Sequence, residues 1–525
     1  AGVDTLFALL NGASIGSSLN LNQIEILNFV TTGGASSIDF TNVATSLTTQ
    51  VNVSGNANLS AANVAGGGAT PRFTLTNFLA DFNADVLATG GADNLSIGLD
   101  NANGQITFDA DIDGLLTFNV IGSPTGGYDI VTRAGAASPD LALAGSGNID
   151  LENLDQAQLN TATQTIFLDG FTGIAKLRVA NSAGGSDLIH LLTNGSLATI
   201  DTSGIETLEL DTANEGGLSV LNLSQATAAT VRVLGTQDLA IAAMNAAVFD
   251  ASNYTGSFLR ATNTASGATA WNLGKADVST WLLGGAGADT FNFVLDGGSS
   301  TLDRSDRIDG GGGADIVAAN ITGLSAAGPG GLHFANIETI NFTNNGNASV
   351  DAADMGNGAF ALTGAASIDG VVDTTFLNLG GNLNAAAFSG DVLVEAANTG
   401  SAHSYVMGSG NHALFGSGGG VSDNFDFGSS TFNNLDLVDA RDLGDADTLV
   451  ATLGGGLTLV TGALHIHGVE SLTFELTGDN VIDAADIRHA GSIQFTDAGS
   501  NAGTLTMSGF DADGLVINKA ATLTT

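Results

Sequence analysis

A short motif with one glutamate between apolar residues recurs along this chain. Its four copies are Ile24-Glu25-Ile26-Leu27, Ile205-Glu206-Thr207-Leu208, Ile337-Glu338-Thr339-Ile340 and Val469-Glu470-Ser471-Leu472. The steps from Glu206 to Glu338 and from Glu338 to Glu470 are each 132 residues, and Asp351 and Asp483 are separated by the same distance. A fixed period shared by independent landmarks is typical of repeat architectures. The sequence therefore predicts tandem copies of one structural unit.

Short strands between tight turns account for most of each repeat. Leu472-Thr473-Phe474-Glu475-Leu476 alternates apolar and polar residues, as a strand with one buried face does. The chain has 73 Gly and only 4 Pro, and little of it has helical periodicity. At most, single helical turns are expected after Asp351 and Asp483.

The period is several times longer than one coil of a β-solenoid, so each repeat should contain several stacked coils. We therefore predict an all-β, calcium-stabilised parallel β-helix or β-solenoid of about three tandem modules of about 132 residues. An array of β-sandwich domains is the alternative. The predicted boundaries are an irregular N-terminal β module at 1–155, module A at 156–270, module B at 271–402 and module C at 403–525.

The charge balance limits the partners and the function classes. Twelve Lys and Arg stand against 53 Asp and Glu, a net charge of −41, which disfavours binding to nucleic acid or anionic lipid. With 43% hydrophobic residues the chain can bury a core, unlike a disordered acidic chain. Glu supplies only 9 of the acids, leaving 44 Asp, and Cys is absent. Aspartate-rich turns without disulfides favour calcium as the stabilising ion.

Two glycine-rich segments carry the clearest metal motif. Residues 284–292 and 310–318 both fit the pattern G-G-x-G-x-D-x-U-x, in which glycines allow the tight turn and the aspartate supplies an oxygen ligand. They resemble the RTX (repeat-in-toxin) family, and the resemblance implies calcium shared between neighbouring coils. The ligand candidates in these segments are Gly285, Gly287, Asp289, Gly311, Gly313 and Asp315.

Other acids extend the set of calcium candidates. The segments start 26 residues apart, and four carboxylates lie between Asp289 and Asp315, which leaves a looser multi-calcium cluster as an alternative: Asp296, Asp303, Asp306 and Asp309. Reduced forms of the motif, for which a turn without metal is the alternative, add Asp93, Asp187, Asp445 and Asp447, and Asp423 matches the position of Asp289. The motif glutamates are expected on solvated strand faces, with a ligand role as the alternative.

The scattered RTX turns, the glutamate motif and the absence of Cys together resemble RTX-type bacterial surface-layer proteins over about residues 170–525. The resemblance implies type I secretion without a cleaved signal, calcium-driven assembly with copies of itself, and anchoring to lipopolysaccharide through an N-terminal helical region. No such region is evident in this sequence, whose start also lacks a signal-peptide pattern. A secreted structural protein at the cell surface is the leading expectation, and an adhesin or biofilm-matrix module is the alternative.

Catalysis is not expected. Gly12-Ala13-Ser14-Ile15-Gly16 matches G-x-S-x-G, but a chain rich in Gly and Ser produces such matches by chance, and H-E-x-x-H is absent. His465 and His467 are expected at the surface. Phe291, Phe293, Phe425 and Phe427 alternate along predicted strands, and we expect them to form inward core layers rather than a ligand-binding stripe.

Overall fold

The computed structural model describes most of the chain as two compact units, residues 1–265 and 266–525. The described residues are 3–16, 21, 23–41, 50–65, 72–87, 95–100, 105–108, 115–122, 128–132, 140–154, 165–179, 187–212, 217–274, 278–296, 299–326, 331–356, 358–365, 372–398, 400–418, 420–433, 435–441, 445–454, 458–459, 465–483, 487–488, 490–497, 505–508 and 515–517.

In the N-terminal unit the chain alternates between two parallel sheets. The first sheet contains Thr5–Asn11, Ile26–Thr32, Gln50–Gly55, Arg72–Phe78, Leu95–Asp100, Leu115–Gly122, Asp140–Gly145, Thr165–Asp169, Leu188–Asn194, Thr207–Asp211, Thr230–Leu234 and Val248–Ala251. The second contains Ser14–Ile15, Ser36–Asp39, Leu59–Ala65, Phe82–Leu87, Gln105–Phe108, Tyr128–Thr132, Ile149–Leu154, Ile174–Val179, Leu197–Ser203, Ser219–Ala226, Leu239–Met244 and Phe258–Asn263.

The C-terminal unit also has one long parallel sheet, opposed by shorter ones. The long sheet contains Ala270–Leu273, Thr290–Phe293, Ile316–Asn320, Thr339–Asn344, Ala359–Gly364, Leu383–Phe388, Ser404–Val406, Asn424–Thr431, Thr448–Leu453, Ser471–Leu476, Ser492–Asp497 and Leu515–Ile517. The shorter sheets are Ser279–Leu283, Arg307–Asp309 and His333–Ala335; Ser325–Ala326, Ala348–Asp351, Thr374–Leu379, Val392–Ala396, His412–Phe415, Leu437–Asp439, His465–His467 and Ile487–Arg488; and Thr458–Leu459, Asn480–Asp483 and Leu505–Ser508. Leu295–Asp296 and Ser299–Ser300 form an antiparallel pair.

Each unit is a parallel β-solenoid, as the sequence predicted. Register partners lie about one coil apart: Leu208 pairs with Val231, and Phe291 pairs with Val317. A strand that pairs in parallel with the strand one coil later cannot belong to an antiparallel sandwich. The β-sandwich alternative is therefore wrong.

Alternating residues fill the space between the sheets. Phe291 and Phe293 are buried, and the residues between and beside them face outward. The Trp271 ring stacks on Phe291 with centroids 5.3 Å apart, so aromatic rings continue from coil to coil. Phe425 and Phe427 are buried in the same way, which confirms the predicted core role of these phenylalanines.

The described residues contain strands, turns and bends but no helix. The single helical turn expected after Asp351 is wrong, because Asp351 ends the strand Ala348–Asp351 and a turn follows it. Asp483 likewise ends a strand. Within the described part of the chain, no helix has the length and apolar character that a membrane span needs.

The four motif glutamates share one structural role. Each side chain accepts the backbone N–H of an aspartate one coil earlier: Asp4 to Glu25 at 2.7 Å, Asp187 to Glu206 at 2.8 Å, Asp315 to Glu338 at 2.7 Å and Asp447 to Glu470 at 3.0 Å. The glutamates therefore connect consecutive coils, a role that goes beyond the solvated strand face that the sequence favours.

We expect Glu338→Ala to lower the free energy of unfolding by about 1–2 kcal/mol, because the N–H of Asp315 loses its charged acceptor. Urea unfolding measured with a calcium chelator present isolates this effect from any metal binding. Glu395→Ala is the control, since Glu395 lies half-buried on a strand of the same unit, and it should change stability by less than about 0.5 kcal/mol. Equal effects of the two variants would contradict the connecting role.

Candidate metal centre

The first glycine-rich turn is organised around the carboxylate of Asp289. Asp289 is fully buried; its Oδ1 accepts the N–H of Thr269 at 2.7 Å, and its Oδ2 accepts the N–H of Gly285 at 2.9 Å. These bonds connect the aspartate to the preceding coil and to the start of its own turn. Gly285 is thus positioned by a carboxylate that the sequence named as a metal ligand.

Asp315 repeats this arrangement one coil later with one difference. Its Oδ1 accepts the N–H of Asp289 at 2.7 Å, but its Oδ2 is buried and has no hydrogen-bond partner among the described residues. Burial, with smaller contributions from the neighbouring Asp289 and Glu338 carboxylates, raises the pKa of Asp315. Such an oxygen is suited to binding either a proton or a cation.

The backbone carbonyls of the first turn face the second. Gly311 and Gly313 have φ angles of +88° and +123°, and a Cβ atom on either would overlap the carbonyl oxygen of Gly285 or Gly287, respectively. Only glycine fits here, because other residues avoid positive φ and would collide with the preceding coil. The carbonyls of Gly285 and Gly287 are therefore hard oxygen donors close to the next turn.

The same pattern recurs near the C-terminus. Asp423 Oδ2 accepts the N–H of Ser417 at 2.7 Å, as Asp289 does from Gly285, 132 residues earlier. Asp423 Oδ1 accepts the N–H of His403 at 2.8 Å, and Asp447 Oδ1 accepts the N–H of Asp423 at 2.5 Å. The carboxylates of Asp423 and Asp447 are both buried.

Asp445, Asp447 and Glu470 bring three carboxylates together. Each offers one oxygen, and these oxygens all lie within 4.8 Å of one another. Both oxygens of Asp445 and Oδ2 of Asp447 are shielded from solvent and have no hydrogen-bond partner in the described part of the chain. Burial and the neighbouring Asp445 and Asp423 carboxylates raise the pKa of Asp447 to about 8. The residues thus fit a hard cation, which prefers oxygen ligands and would neutralise the carboxylates.

The other predicted acids are dispersed. Asp303 accepts the N–H of Ser305 at 2.6 Å, Asp306 is buried and accepts the N–H of Thr280 at 3.0 Å, and Asp309 accepts the side-chain amide of Asn336 at 2.7 Å. The described carboxylates in this region do not form a group of three within 4.8 Å. Asp187 is buried at the equivalent turn of the N-terminal unit. Asp93 and the side chain of Asp296 lie outside the described residues.

The chain matches no family model, no curated protein and no solved structure.

Sequence reasoning missed several residues of this region. Glu470 was assigned a strand-face position because nothing in the sequence shows that the next coil places it beside Asp447, 23 residues earlier. His403 and His412 are buried, whereas histidines of a polar chain are expected at the surface. His467 does lie half-exposed, with Nδ1 3.1 Å from Asp439.

Asp436 should make stability depend on pH. It is buried and accepts the N–H groups of His412 and Asn433, each at 2.7 Å; burial raises its pKa from the ordinary 3.8 to about 7. The folded state then holds more protons than the unfolded state between about pH 4 and 7, so stability falls as pH rises through this window. In urea unfolding across that range, Asp436→Asn should reduce the slope by up to about 1.4 kcal/mol per pH unit. An unchanged slope would contradict the assignment.

Proposed function

We propose that this chain is a secreted, calcium-binding structural protein that assembles with copies of itself at a bacterial cell surface and has no catalytic role. The observation that carries the proposal is the row of buried turn carboxylates in the C-terminal unit: Asp289, Asp315, Asp423 and Asp447. In the described part of the chain, none of them bonds a Lys or Arg side chain. Buried carboxylates without a counter-charge are costly. Calcium is the counter-charge that we assign to them.

The charge of the whole chain supports the same proposal. A net charge of −41 opposes compaction and opposes close approach of identical subunits. At low calcium this repulsion would keep the chain extended during export. Calcium at extracellular, millimolar concentration would neutralise the turns, so that folding and assembly become coupled to secretion.

The solenoid fold is compatible with a structural role. Each coil buries its apolar residues only by stacking on its neighbours, and the result is a continuous framework of parallel strands. The RTX-like turns, the absence of Cys and the acidic composition place the proposal in an extracellular setting. Lipopolysaccharide remains the proposed anchor that the surface-layer resemblance implies.

Electron microscopy of the purified chain tests the assembly claim. We expect ordered sheets or filaments after addition of about 1 mM calcium and their loss after addition of a chelator. Particles that stay monomeric with and without calcium would contradict self-assembly.

An adhesin is the second candidate, and one exposed aromatic residue favours it. The Trp281 side chain is 43% exposed, and the Arg307 guanidinium lies 5.5 Å from its ring centroid. Trp281, Arg307 and His333 are register partners on three consecutive strands, so they form a row along the outer face of one sheet. Exposed aromatic and arginine side chains are frequent in binding surfaces. In the microscopy experiment, a calcium-loaded monomer would favour this candidate.

A further inference from the structure

Asp445, Asp447 and Glu470 come from two consecutive coils. Asp445 and Asp447 flank the start of the strand Thr448–Leu453, and Glu470 directly precedes its register partner, the strand Ser471–Leu476. Two oxygens bound to one calcium ion at about 2.4 Å are at most about 4.8 Å apart. The carboxylate oxygens of this trio meet that limit without any rearrangement.

The unpartnered oxygens are independent evidence for a ligand. Asp447 is 1% exposed, and its Oδ2 has no hydrogen-bond donor among the described residues; the same holds for both oxygens of Asp445. Nearly all buried polar atoms in folded proteins are hydrogen-bonded or bind an ion. Glu470 Oε2 and Asp447 Oδ1 accept backbone N–H groups, which hold their carboxylates in position.

The equivalent turn of the preceding repeat provides an internal comparison. Asp315 and Glu338 occupy the places of Asp447 and Glu470, 132 residues earlier, and Gly313 occupies the place of Asp445. Gly313 has φ +123°, and any Cβ atom there would overlap the Gly287 carbonyl. A third carboxylate is thus sterically excluded from the turn that best matches the glycine motif. The degenerate turn, in contrast, has acquired one.

The chemistry of the trio selects the class of ion. All donors are carboxylate oxygens, which suit calcium and magnesium rather than the thiolate- and imidazole-binding metals. Three carboxylates exceed the charge of a monovalent ion. Calcium also tolerates an irregular shell completed by water or backbone carbonyls, whereas magnesium requires near-octahedral geometry.

We infer that Asp445, Asp447 and Glu470 form a calcium site, and that it binds calcium more tightly than the glycine-rich turn at Asp315. The inference deepens the proposed function and rests on it, since it names the residues of one of the proposed calcium sites. Glu470 is a ligand in this site, and Asp445 sets its affinity above that of its counterpart.

The test compares four full-length variants with the wild type: Asp445→Asn, Glu470→Gln, Asp315→Asn and the exposed-carboxylate control Asp354→Asn. Calcium affinity and stoichiometry are measured by competition with a chromophoric chelator, and folding is checked by circular dichroism. We expect Asp445→Asn and Glu470→Gln each to abolish the tightest class of site or weaken it at least tenfold. Asp315→Asn and Asp354→Asn should leave that class unchanged.

A tightest class that survives unchanged in Asp445→Asn or in Glu470→Gln would overturn the inference while leaving the proposed function intact. Wild-type protein that binds no calcium at millimolar concentration would overturn both. Should the trio variants fail to fold, hydrogen exchange of the wild type decides the question. Calcium should then protect the amides of residues 447–453 more strongly than those of residues 315–320, and equal protection would count against the inference.

Discussion

Asp289→Ala is expected to destabilise the C-terminal unit by about 2–5 kcal/mol, the first of the two largest effects we predict. The substitution leaves the buried N–H groups of Thr269 and Gly285 without their acceptor, and each such loss costs about 1–3 kcal/mol. The change also removes an oxygen from a turn that we propose to be calcium-loaded. Urea unfolding followed by circular dichroism measures the effect.

The calcium dependence of this effect separates the two roles of Asp289. In chelator, only the hydrogen bonds are lost, whereas in millimolar calcium the loss of the ion adds to the cost. Asp289→Asn is the matched control, because its remaining side-chain oxygen can replace one of the two acceptors, and it should cost less than the alanine variant in chelator. Identical destabilisation with calcium and with chelator would contradict a metal role for Asp289 while leaving its structural role intact.

Gly313→Ala is expected to have a comparably large effect, of about 3 kcal/mol or more. The new Cβ atom would overlap the Gly287 carbonyl of the preceding coil, and φ +123° is a conformation that alanine adopts only with strain. Both causes act at the turn that carries Asp315. The measurement is the midpoint of thermal or urea unfolding.

Gly323→Ala is the control that isolates the steric part of this prediction. Gly323 also has a positive φ angle, +78°, but a Cβ atom there would meet nothing within 4 Å. It should cost about 1 kcal/mol, the ordinary penalty for alanine in a left-handed conformation. Equal costs at Gly313 and Gly323 would show that contact between the coils does not limit the turn.

The fold was predictable because its determinants are periodic. Strand alternation places Phe291 and Phe293 inward from sequence alone, and the recurring glutamate motif indicates a repeat. A parallel solenoid follows once each repeat is too long for one coil and too poor in helix for a mixed fold. Sequence alone did not exclude sandwich domains, since short alternating strands are common to both architectures.

The candidate site was only partly predictable, because it depends on register. Asp445 and Asp447 were found from their spacing, but Glu470 joins them through the pairing of consecutive coils, which varies from about 20 to 28 residues in this chain. A change of one residue in coil length would move Glu470 to the other face of its strand. Conversely, Asp303 and Asp309 are close in sequence, yet each is engaged in its own turn.

The buried histidines show how a solenoid changes the usual expectation for a polar residue. His403 precedes the strand Ser404–Val406, and its ring stacks on Tyr405 with centroids 6.1 Å apart, so it continues the row of aromatic core rings. Its Nδ1 lies 3.4 Å from Asp423 Oδ1. In an acidic turn row, a histidine can thus be kept inside the fold by a carboxylate that accepts its backbone N–H as well.

The most direct test of the central claim is the thermal unfolding midpoint of the full-length chain in about 1 mM calcium and in chelator. If calcium is the counter-charge of the buried turn carboxylates, each site with a Kd of about 0.1 mM should add about 1.4 kcal/mol, and the midpoint should rise by several degrees. Magnesium at the same concentration should produce a smaller rise. An identical midpoint in calcium and in chelator would contradict the account.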